Sequence, residues 1–194
     1  MMTQTHVLVA AAAFAKPERP GLTWAAILGG LAPDASLYFL SIWHAYVLGV
    51  SWQVIFDELY FSSSWQLVFA VDNSVFLWGA VLGAGLLARR NWIVAFGGAA
   101  LLHVALDFPL HHDDGRPHFW PISDWVFESP VSYWDTRHYG GIVRVLEGAL
   151  ALALCALLWR RFPGAWARVA ITLGAAAIAA PPLIFLVFMG LGPA

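Results

Sequence analysis

Five long apolar runs constrain the fold of this chain more than any other feature of its sequence. They cover about residues 22–48, 65–88, 92–108, 142–159 and 168–190. A helix needs roughly 20 mostly apolar residues to cross the hydrocarbon core of a bilayer, and each run is close to that length. Charged residues make up only 11% of the 194-residue chain, and hydrophobic residues make up 60%. The runs predict an all-α integral membrane protein with about five transmembrane helices, in a single domain of residues 1–194.

A shorter apolar segment, residues 6–15, precedes the first long run. Its ten residues are too few to cross a bilayer as a helix. The segment resembles the core of a signal peptide, and Ala13-Phe14-Ala15 resembles a cleavage site, but no Lys or Arg precedes it. We therefore expect a retained N-terminal half-helix rather than a cleaved signal.

The distribution of Lys and Arg predicts the orientation in the membrane. If the spans alternate, one side carries seven of the 10 basic residues, namely Lys16, Arg19, Arg89, Arg90, Arg160, Arg161 and Arg168. The side richer in Lys and Arg is normally cytoplasmic, so the loop of residues 109–141 should lie outside the cytoplasm. The chain has a net charge of -2 and no basic cluster of the kind that binds nucleic acid, so we expect no nucleic-acid partner.

Potential metal ligands are concentrated where the third long run ends. The segment from residue 103 to residue 118 contains His103, Asp107, His111, His112, Asp113, Asp114 and His118. His103 and Asp107 are four residues apart, so on a helix both side chains project from one face. An imidazole nitrogen and a carboxylate oxygen are suitable ligands for a divalent cation. Pro109 disfavours a continued helix, so the following loop should carry His111, His112 and Asp113 over this pair.

Six ionisable residues on five segments should reach a similar depth in the membrane. At about 1.5 Å of rise per residue, they lie roughly 15–25 Å from the basic side; they are His6, Asp34, Asp72, His103, Asp107 and Glu147. Ionisable side chains at such depth are costly and usually mark a functional site. Gly29, Gly30 and Pro33 predict a helix break before Asp34, which is tolerated only beside protein or a water-filled cavity. We therefore expect a pocket that opens to the outside.

Simpler interpretations of the same residues remain open from the sequence. His103 and Asp107 would also fit a hydrogen-bonded pair in the core, and the polar residues 111–114 would fit a solvated loop. Arg144 and Glu147, three residues apart, would fit an ion pair inside the membrane. Asp72 beside Asn73 would fit local hydrogen bonding. None of these interpretations predicts that residues on five segments share one depth, and this favours a common site.

Three short motifs, taken in order, resemble those of a known family. They are Thr5-His6 in TQTHVLVAAA, the Leu-x-Pro-Asp of GLAPDAS, and the helix from His103 to Asp107 that leads to FWPIS. This order, over residues 5–123, resembles the bacterial inner-membrane proteins called membrane-bound metal-dependent hydrolases, which are distantly similar to zinc-dependent phospholipase C and fungal zinc nucleases. The resemblance implies that His6, Asp34, His103 and Asp107 bind metal, and that residues 109–138 form a lid.

One segment departs from the pattern of that family. Its members typically carry His-Arg and then Thr-His-Ser in the next helix, whereas this chain reads AVDNSVFLW. Ser74 fits the pattern, but Asp72 and Asn73 stand where histidine chemistry is expected. The departure is compatible with an exchanged ligand, with the loss of one metal position, or with a degenerate site that has another role.

The leading hypothesis from the sequence is a membrane-embedded metal-dependent hydrolase. It would cleave a phosphoester or acyl bond of a membrane lipid or lipid-linked substrate from the outer face. The cofactor would be a divalent metal, most simply zinc, with manganese or iron as alternatives. Its expected ligands are His6, Asp34, His103 and Asp107, and His111 or Asp113 would complete the coordination. Asp72 or Glu147 would act as general base, and His112 is a further candidate for proton transfer.

The alternative hypothesis is a non-enzymatic membrane carrier or accessory subunit for a metal ion or a proton. Chains of Asp, His and Glu inside membranes also mark ion pathways. A carrier needs polar positions that continue to the cytoplasmic face, whereas VLGAGLLA and LALALCALLW are almost purely apolar. The sequence therefore favours the hydrolase.

Overall fold

The computed structural model describes the backbone of residues 1–190 and the side chains of residues 1–179. Every regular element in that range is a helix, and the predicted all-α fold is confirmed. The α-helices are α1 (Thr3–Phe14), α2 (Pro20–Leu31), α3 (Ala35–Tyr46), α4 (Trp52–Val54), α5 (Ser63–Asp72), α6 (Val75–Leu87), α7 (Asn91–Asp107), α8 (Gly140–Arg161) and α9 (Ala165–Gly190).

Four helical segments in the described range are long and apolar enough to cross a membrane. They are Pro20–Tyr46, Ser63–Leu87, Asn91–Leu110 and Gly140–Arg161. Each end lies within about two residues of the predicted end, because apolar length is the signal that both reflect. The predicted fifth span, residues 168–190, falls on α9; its side chains are described only as far as the apolar segment Ala165–Ala179, and the rest lie outside the described range.

The first two spanning segments are each interrupted in the middle. A 3-10 turn, Ala32–Asp34, separates α2 from α3, as Pro33 and the two glycines before it predict. Asn73 and Ser74 separate α5 from α6, and the Ser74 hydroxyl caps α6 by accepting a hydrogen bond from the Leu77 amide at 3.2 Å. The side-chain amide of Asn73 donates to the Pro33 carbonyl at 3.3 Å. The two breaks therefore lie side by side.

The half-helix α1 lies inside the bundle, where it packs against α2, α7 and α8. Two glycines of α2 allow the close approach of its neighbours. A Cβ on Gly30 would lie 2.9 Å from the Ala10 Cβ of α1, and a Cβ on Gly29 would lie 2.9 Å from the Ala99 Cβ of α7. The glycine pair therefore brings α2 close to α1 on one side and to α7 on the other.

Two basic segments meet at one end of the bundle. The Arg161 guanidinium, at the end of α8, donates to the Ala12 carbonyl near the end of α1 at 2.6 Å. An apolar cluster of Ala11, Ala15, Ala26 and Leu158 fills the interior at this end. The start of α1 and the end of α7 therefore lie away from it, where polar side chains gather.

Candidate metal centre

His6, His103 and Asp107 meet in the interior of the bundle. The His6 Nε2 lies 2.8 Å from Asp107 Oδ1, and the His103 Nε2 lies 3.3 Å from Asp107 Oδ2. One ligand atom from each residue lies within 4.8 Å of the others, and all three side chains are buried. Helix α1 supplies His6 and α7 supplies the other two residues from successive turns of one face. This trio is the centre of the candidate site.

The backbone of α2 determines which nitrogen of His103 faces the site. His103 Nδ1 donates its proton to the Gly30 carbonyl at 2.8 Å. In the neutral ring the lone pair is then on Nε2, which is buried and has no hydrogen-bond partner among the described residues. A carbonyl that accepts the second N–H is the usual support of a histidine that binds metal.

Asp34 lies beside the trio as the last residue of the 3-10 turn. Its Oδ1 is 3.7 Å from His103 Nε2, and its Oδ2 accepts a hydrogen bond from the Thr3 hydroxyl. Tyr38 in turn donates to the Thr3 hydroxyl at 2.8 Å. The helix break therefore turns the Asp34 carboxylate toward the site and holds it there.

Of the loop residues predicted to cover the pair, His111 reaches Asp107. His111 Nε2 lies 3.4 Å from Asp107 Oδ2, and its Nδ1 lies 3.0 Å from Asp114 Oδ1. Burial would lower the pKa of His111, but the carboxylates of Asp107 and Asp114 outweigh burial and raise it above its usual value. Asp113 is the predicted carboxylate ligand of this loop, but Asp114 is the carboxylate that contacts His111.

The first two residues of the chain connect Asp107 with Glu147 of α8. The Met1 amino group donates to Asp107 Oδ1 at 2.6 Å, and the Met2 backbone amide donates to Glu147 Oε1 at 2.7 Å. Glu147 is buried, and its Oε2 has no hydrogen-bond partner among the described residues. Arg144 donates to the carbonyls of Gly140 and Trp134 rather than to Glu147. Glu147 is therefore next to the site, without the ion pair that its spacing from Arg144 allowed.

The structure does not bring three of the predicted site residues to this trio. The Asp72 carboxylate faces Ser36 on α3. The His112 ring donates to the Ser129 carbonyl at 2.7 Å and stacks on His138. Asp113 is exposed. Helical rise gave Asp72 a similar depth, but depth alone does not determine the direction in which a side chain points.

A cavity of about 150 Å³ opens beside the trio. The residues that line it include Asp34, Tyr60, Asp107, His111, Arg116 and Tyr133. Tyr60, Arg116 and Tyr133 are not predicted site residues, because no spacing rule connects these loop residues with the helix of His103. Burial raises the pKa of both tyrosines, so both phenols remain protonated near neutral pH.

The chemistry of the donor set fits a divalent cation. The His103 lone pair faces carboxylate oxygens of Asp107 and Asp34 and makes no hydrogen bond to them. A lone pair beside two anionic oxygens is repulsive unless a cation or a proton lies between them. Imidazole nitrogens together with carboxylates are the mixed ligand set that zinc accepts. His6, His103, Asp107 and Asp34 are the residues that would hold the ion.

Comparison of the chain with protein-family models, with curated protein sequences and with solved structures finds no match.

Proposed function

We propose that this membrane protein is a metal-dependent hydrolase, with its metal held by His6, His103, Asp107 and Asp34. One observation carries the proposal: the buried Nε2 of His103 faces two carboxylates and lacks a hydrogen-bond partner among the described residues. A core arranged only for hydrogen bonding would satisfy that atom, because an unpaired buried polar atom costs about 1–3 kcal/mol. The resemblance to membrane-bound metal-dependent hydrolases independently implies the same four residues.

The residues around the trio support hydrolysis as the reaction. A bound zinc ion would lower the pKa of a coordinated water to about 7 and polarise the bond to be cleaved. His111 is placed to take or return a proton, because its Nε2 faces the site and Asp114 lies behind its Nδ1. One carboxylate oxygen of Glu147 has no hydrogen-bond partner among the described residues, and Glu147 is a second candidate for the base. Asp72 and His112 face away from the trio, so the proposal gives them no direct role.

Access from one side only favours the hydrolase over a carrier. The cavity lies at the end of the bundle where α1 begins. Toward the other end, the described interior is closed by the apolar cluster of Ala11, Ala15, Ala26 and Leu158. An ion or proton that crossed the membrane here would need polar groups in this region. The carrier remains the alternative hypothesis.

The location of the cavity suggests the substrate and the orientation. A cavity among apolar helices is most easily reached by a molecule that resides in the membrane, which favours a lipid or lipid-linked ester as the substrate. The concentration of Lys and Arg at the opposite end favours a cytoplasmic location for that end. We therefore propose a bacterial inner-membrane enzyme whose site faces away from the cytoplasm.

The first test is the metal content of the full chain purified in detergent. Wild type, the double variant His103→Gln, Asp107→Asn and the control His112→Gln would be analysed by plasma mass spectrometry. Helical circular dichroism would establish that each variant is folded. We expect near-stoichiometric zinc, manganese or iron in the wild type and in the control, and loss of the metal in the double variant.

The result that would overturn the proposal is equally specific. If wild type contains no metal even after incubation with zinc, or if the folded double variant retains it, these residues are not a metal centre. The trio would then be a hydrogen-bonded core or part of a proton pathway. A metal-loaded wild type would next be assayed on phosphoester and acyl-ester lipids.

A further inference from the structure

A buried arginine lies in the loop that covers the site. Arg116 is only 8% exposed, and its guanidinium carbon lies 4.8 Å from the centre of the Tyr60 ring and 4.3 Å from that of Phe69. Its Nη1 donates to Gln66 Oε1 at 3.1 Å, and its Nη2 donates to the Tyr60 hydroxyl at 2.5 Å. Two aromatic faces and two hydrogen bonds therefore hold the guanidinium in one position.

This guanidinium makes no ion pair with any carboxylate among the described residues. A buried cation is normally paired, because removing it from water is costly. Arginine has five N–H donors, and the described hydrogen bonds of Arg116 use two of them. The guanidinium therefore retains donors and a positive charge for another partner.

The unpaired charge borders the cavity of the candidate metal centre. Arg116 lines it together with Asp34, Asp107 and His111. Two carboxylates, one imidazole and the guanidinium therefore line one cavity. A bound metal would neutralise the carboxylates, and an anionic group in the cavity would then lie near both the metal and the guanidinium.

We propose that Arg116 anchors the phosphate of the substrate beside the metal centre. This inference rests on the proposed function and deepens it, because it makes the substrate a phosphoester rather than a neutral acyl ester. Arginine presents its N–H groups in a planar fork that matches two oxygens of a phosphate. The Tyr60 oxygen accepts from Arg116, and its O–H, which has no acceptor among the described residues, can donate to the same group.

The size of the cavity suits a phosphate group rather than a whole lipid. Its volume of about 150 Å³ is several times the space that one water molecule needs. A phosphate fits this space, whereas the acyl chains of a phospholipid would have to remain outside. The phosphate of a lipid headgroup and free inorganic phosphate share this chemistry, and the test must distinguish them.

A purely structural role for Arg116 makes a different prediction. Through-space attraction to Asp114 and contacts with Tyr60 and Phe69 would stabilise the loop without any ligand. Substitution would then lower the unfolding temperature and leave the affinity for phosphate unchanged. Affinity for phosphate is therefore the decisive measurement.

The experiment compares wild type with Arg116→Gln and Arg116→Lys, as full chains in detergent loaded with zinc. The control is Arg137→Gln, which removes an exposed arginine of the same loop. Binding of inorganic phosphate is measured by equilibrium dialysis, and zinc content by mass spectrometry. We expect Arg116→Gln to retain zinc and to bind phosphate about ten- to hundred-fold more weakly. Arg116→Lys keeps the charge and should lose less, and Arg137→Gln should match wild type.

Additional binding measurements show whether the phosphate that Arg116 binds belongs to a lipid headgroup or is free inorganic phosphate. Micelles with phosphatidic acid are compared with micelles that contain diacylglycerol, which has the same chains and no phosphate. If the anchor binds a lipid headgroup, phosphatidic acid displaces phosphate from wild type and diacylglycerol does not. If neither lipid displaces inorganic phosphate from wild type, Arg116 binds free phosphate.

The outcomes separate this inference from the proposed function. If Arg116→Gln and Arg116→Lys retain both zinc and wild-type affinity for phosphate, the proposed phosphate-binding role of Arg116 is wrong. The proposed metal centre is not affected by that result. If wild type binds no zinc, the proposed function fails, and the comparison of metal-free wild type with Arg116→Gln still tests the anchor. Equal phosphate binding in that comparison, or none, would overturn it. If Arg116→Gln does not fold, Arg116→Lys decides in the same way.

Discussion

The imidazole rings of His6 and His103 stack face to face, with 3.6 Å between their centres and 10° between their planes. The rings come from two different helices, and both direct Nε2 at the Asp107 carboxylate. Two buried rings at this distance cannot both carry a positive charge without strong repulsion. At least one of the two imidazoles is therefore neutral, and the neutral ring is the form that binds metal.

Replacement of His6 should weaken metal binding while the bundle remains folded. His6→Gln removes a nitrogen that faces Asp107, and we expect the affinity for zinc to fall by at least about ten-fold, since one of few protein ligands is lost. Competition with a fluorescent zinc chelator measures the affinity. His44→Gln is a matched control, because His44 also lies on a helix but donates to the Leu40 carbonyl and makes an edge-to-face contact with Trp65. Equal affinities in the two variants would exclude His6 as a ligand.

The contact between α1 and α2 should tolerate no side chain at Gly30. In Gly30→Ala the added Cβ would lie 2.9 Å from the Ala10 Cβ and 3.2 Å from the His6 carbonyl oxygen. Overpacking of this kind costs about 1–3 kcal/mol, and it would also displace the carbonyl that holds His103. We expect a lower midpoint of thermal unfolding in detergent and weaker zinc binding.

Gly148→Ala provides the control, because a Cβ at Gly148 in α8 would have no neighbouring atom within 4 Å. Alanine favours the helix, so its midpoint should equal or exceed that of wild type. Similar destabilisation in both variants would show that the spacing between α1 and α2 is not the cause.

The sequence predicts the parts of this structure that depend on local pattern. Apolar length determined the ends of four spans, and Pro33 after two glycines indicated the break before Asp34. Four-residue spacing placed His103 and Asp107 on one face. Each of these signals needs only a few neighbouring residues.

Other parts depend on distant contacts and could not be predicted in this way. The second break, at Asn73, is held partly by the Pro33 carbonyl, which lies 40 positions earlier. The burial of Arg116 depends on Tyr60 and Phe69, which precede it by more than 40 residues. The turns that follow Pro109 direct His111, and not His112, toward Asp107. No periodicity in the sequence indicates which of these two histidines contacts the site.

Two adjacent carboxylates in this loop should have different effects. Asp114→Asn removes the charge 3.0 Å from His111 Nδ1, whereas Asp113→Asn changes an exposed side chain. Loss of a group that supports a histidine at a metal site typically costs 10–100-fold in metal affinity or activity. Because His111 is proposed to transfer a proton, we expect Asp114→Asn to lose activity by about that factor and Asp113→Asn to behave like wild type. The hydrolysis rates of the two zinc-loaded variants on lipid esters check this directly, and the reverse order would place Asp113 in the site.

A buried histidine of the loop should make stability depend on pH. Burial lowers the pKa of His118, whose Nδ1 lies 3.1 Å from the Asn73 carbonyl. The unfolded chain therefore binds a proton more readily than the folded chain below about pH 6.5. The stabilisation by neutral His118 is present above that pH and is lost as the pH falls from there toward the lower pKa of the folded state.

The measurement is the unfolding midpoint of wild type and of His118→Asn at pH 8 and at pH 5. Asparagine cannot take up a proton, so wild type should lose more stability than the variant on acidification. Equal losses would show that His118 does not contribute to the pH dependence.

The orientation of the bundle can be tested with single cysteines in intact bacteria. Cys155 is buried and would be replaced by alanine to give a background without cysteine. Ser123→Cys lies in the exposed part of the covering loop, and Gly164→Cys lies between α8 and α9, beside Arg161. If basic residues determine the topology, a membrane-impermeant maleimide should label Ser123→Cys from outside and Gly164→Cys only after cell lysis. Labelling of Gly164→Cys in intact cells would reverse the orientation and place the cavity on the cytoplasmic side.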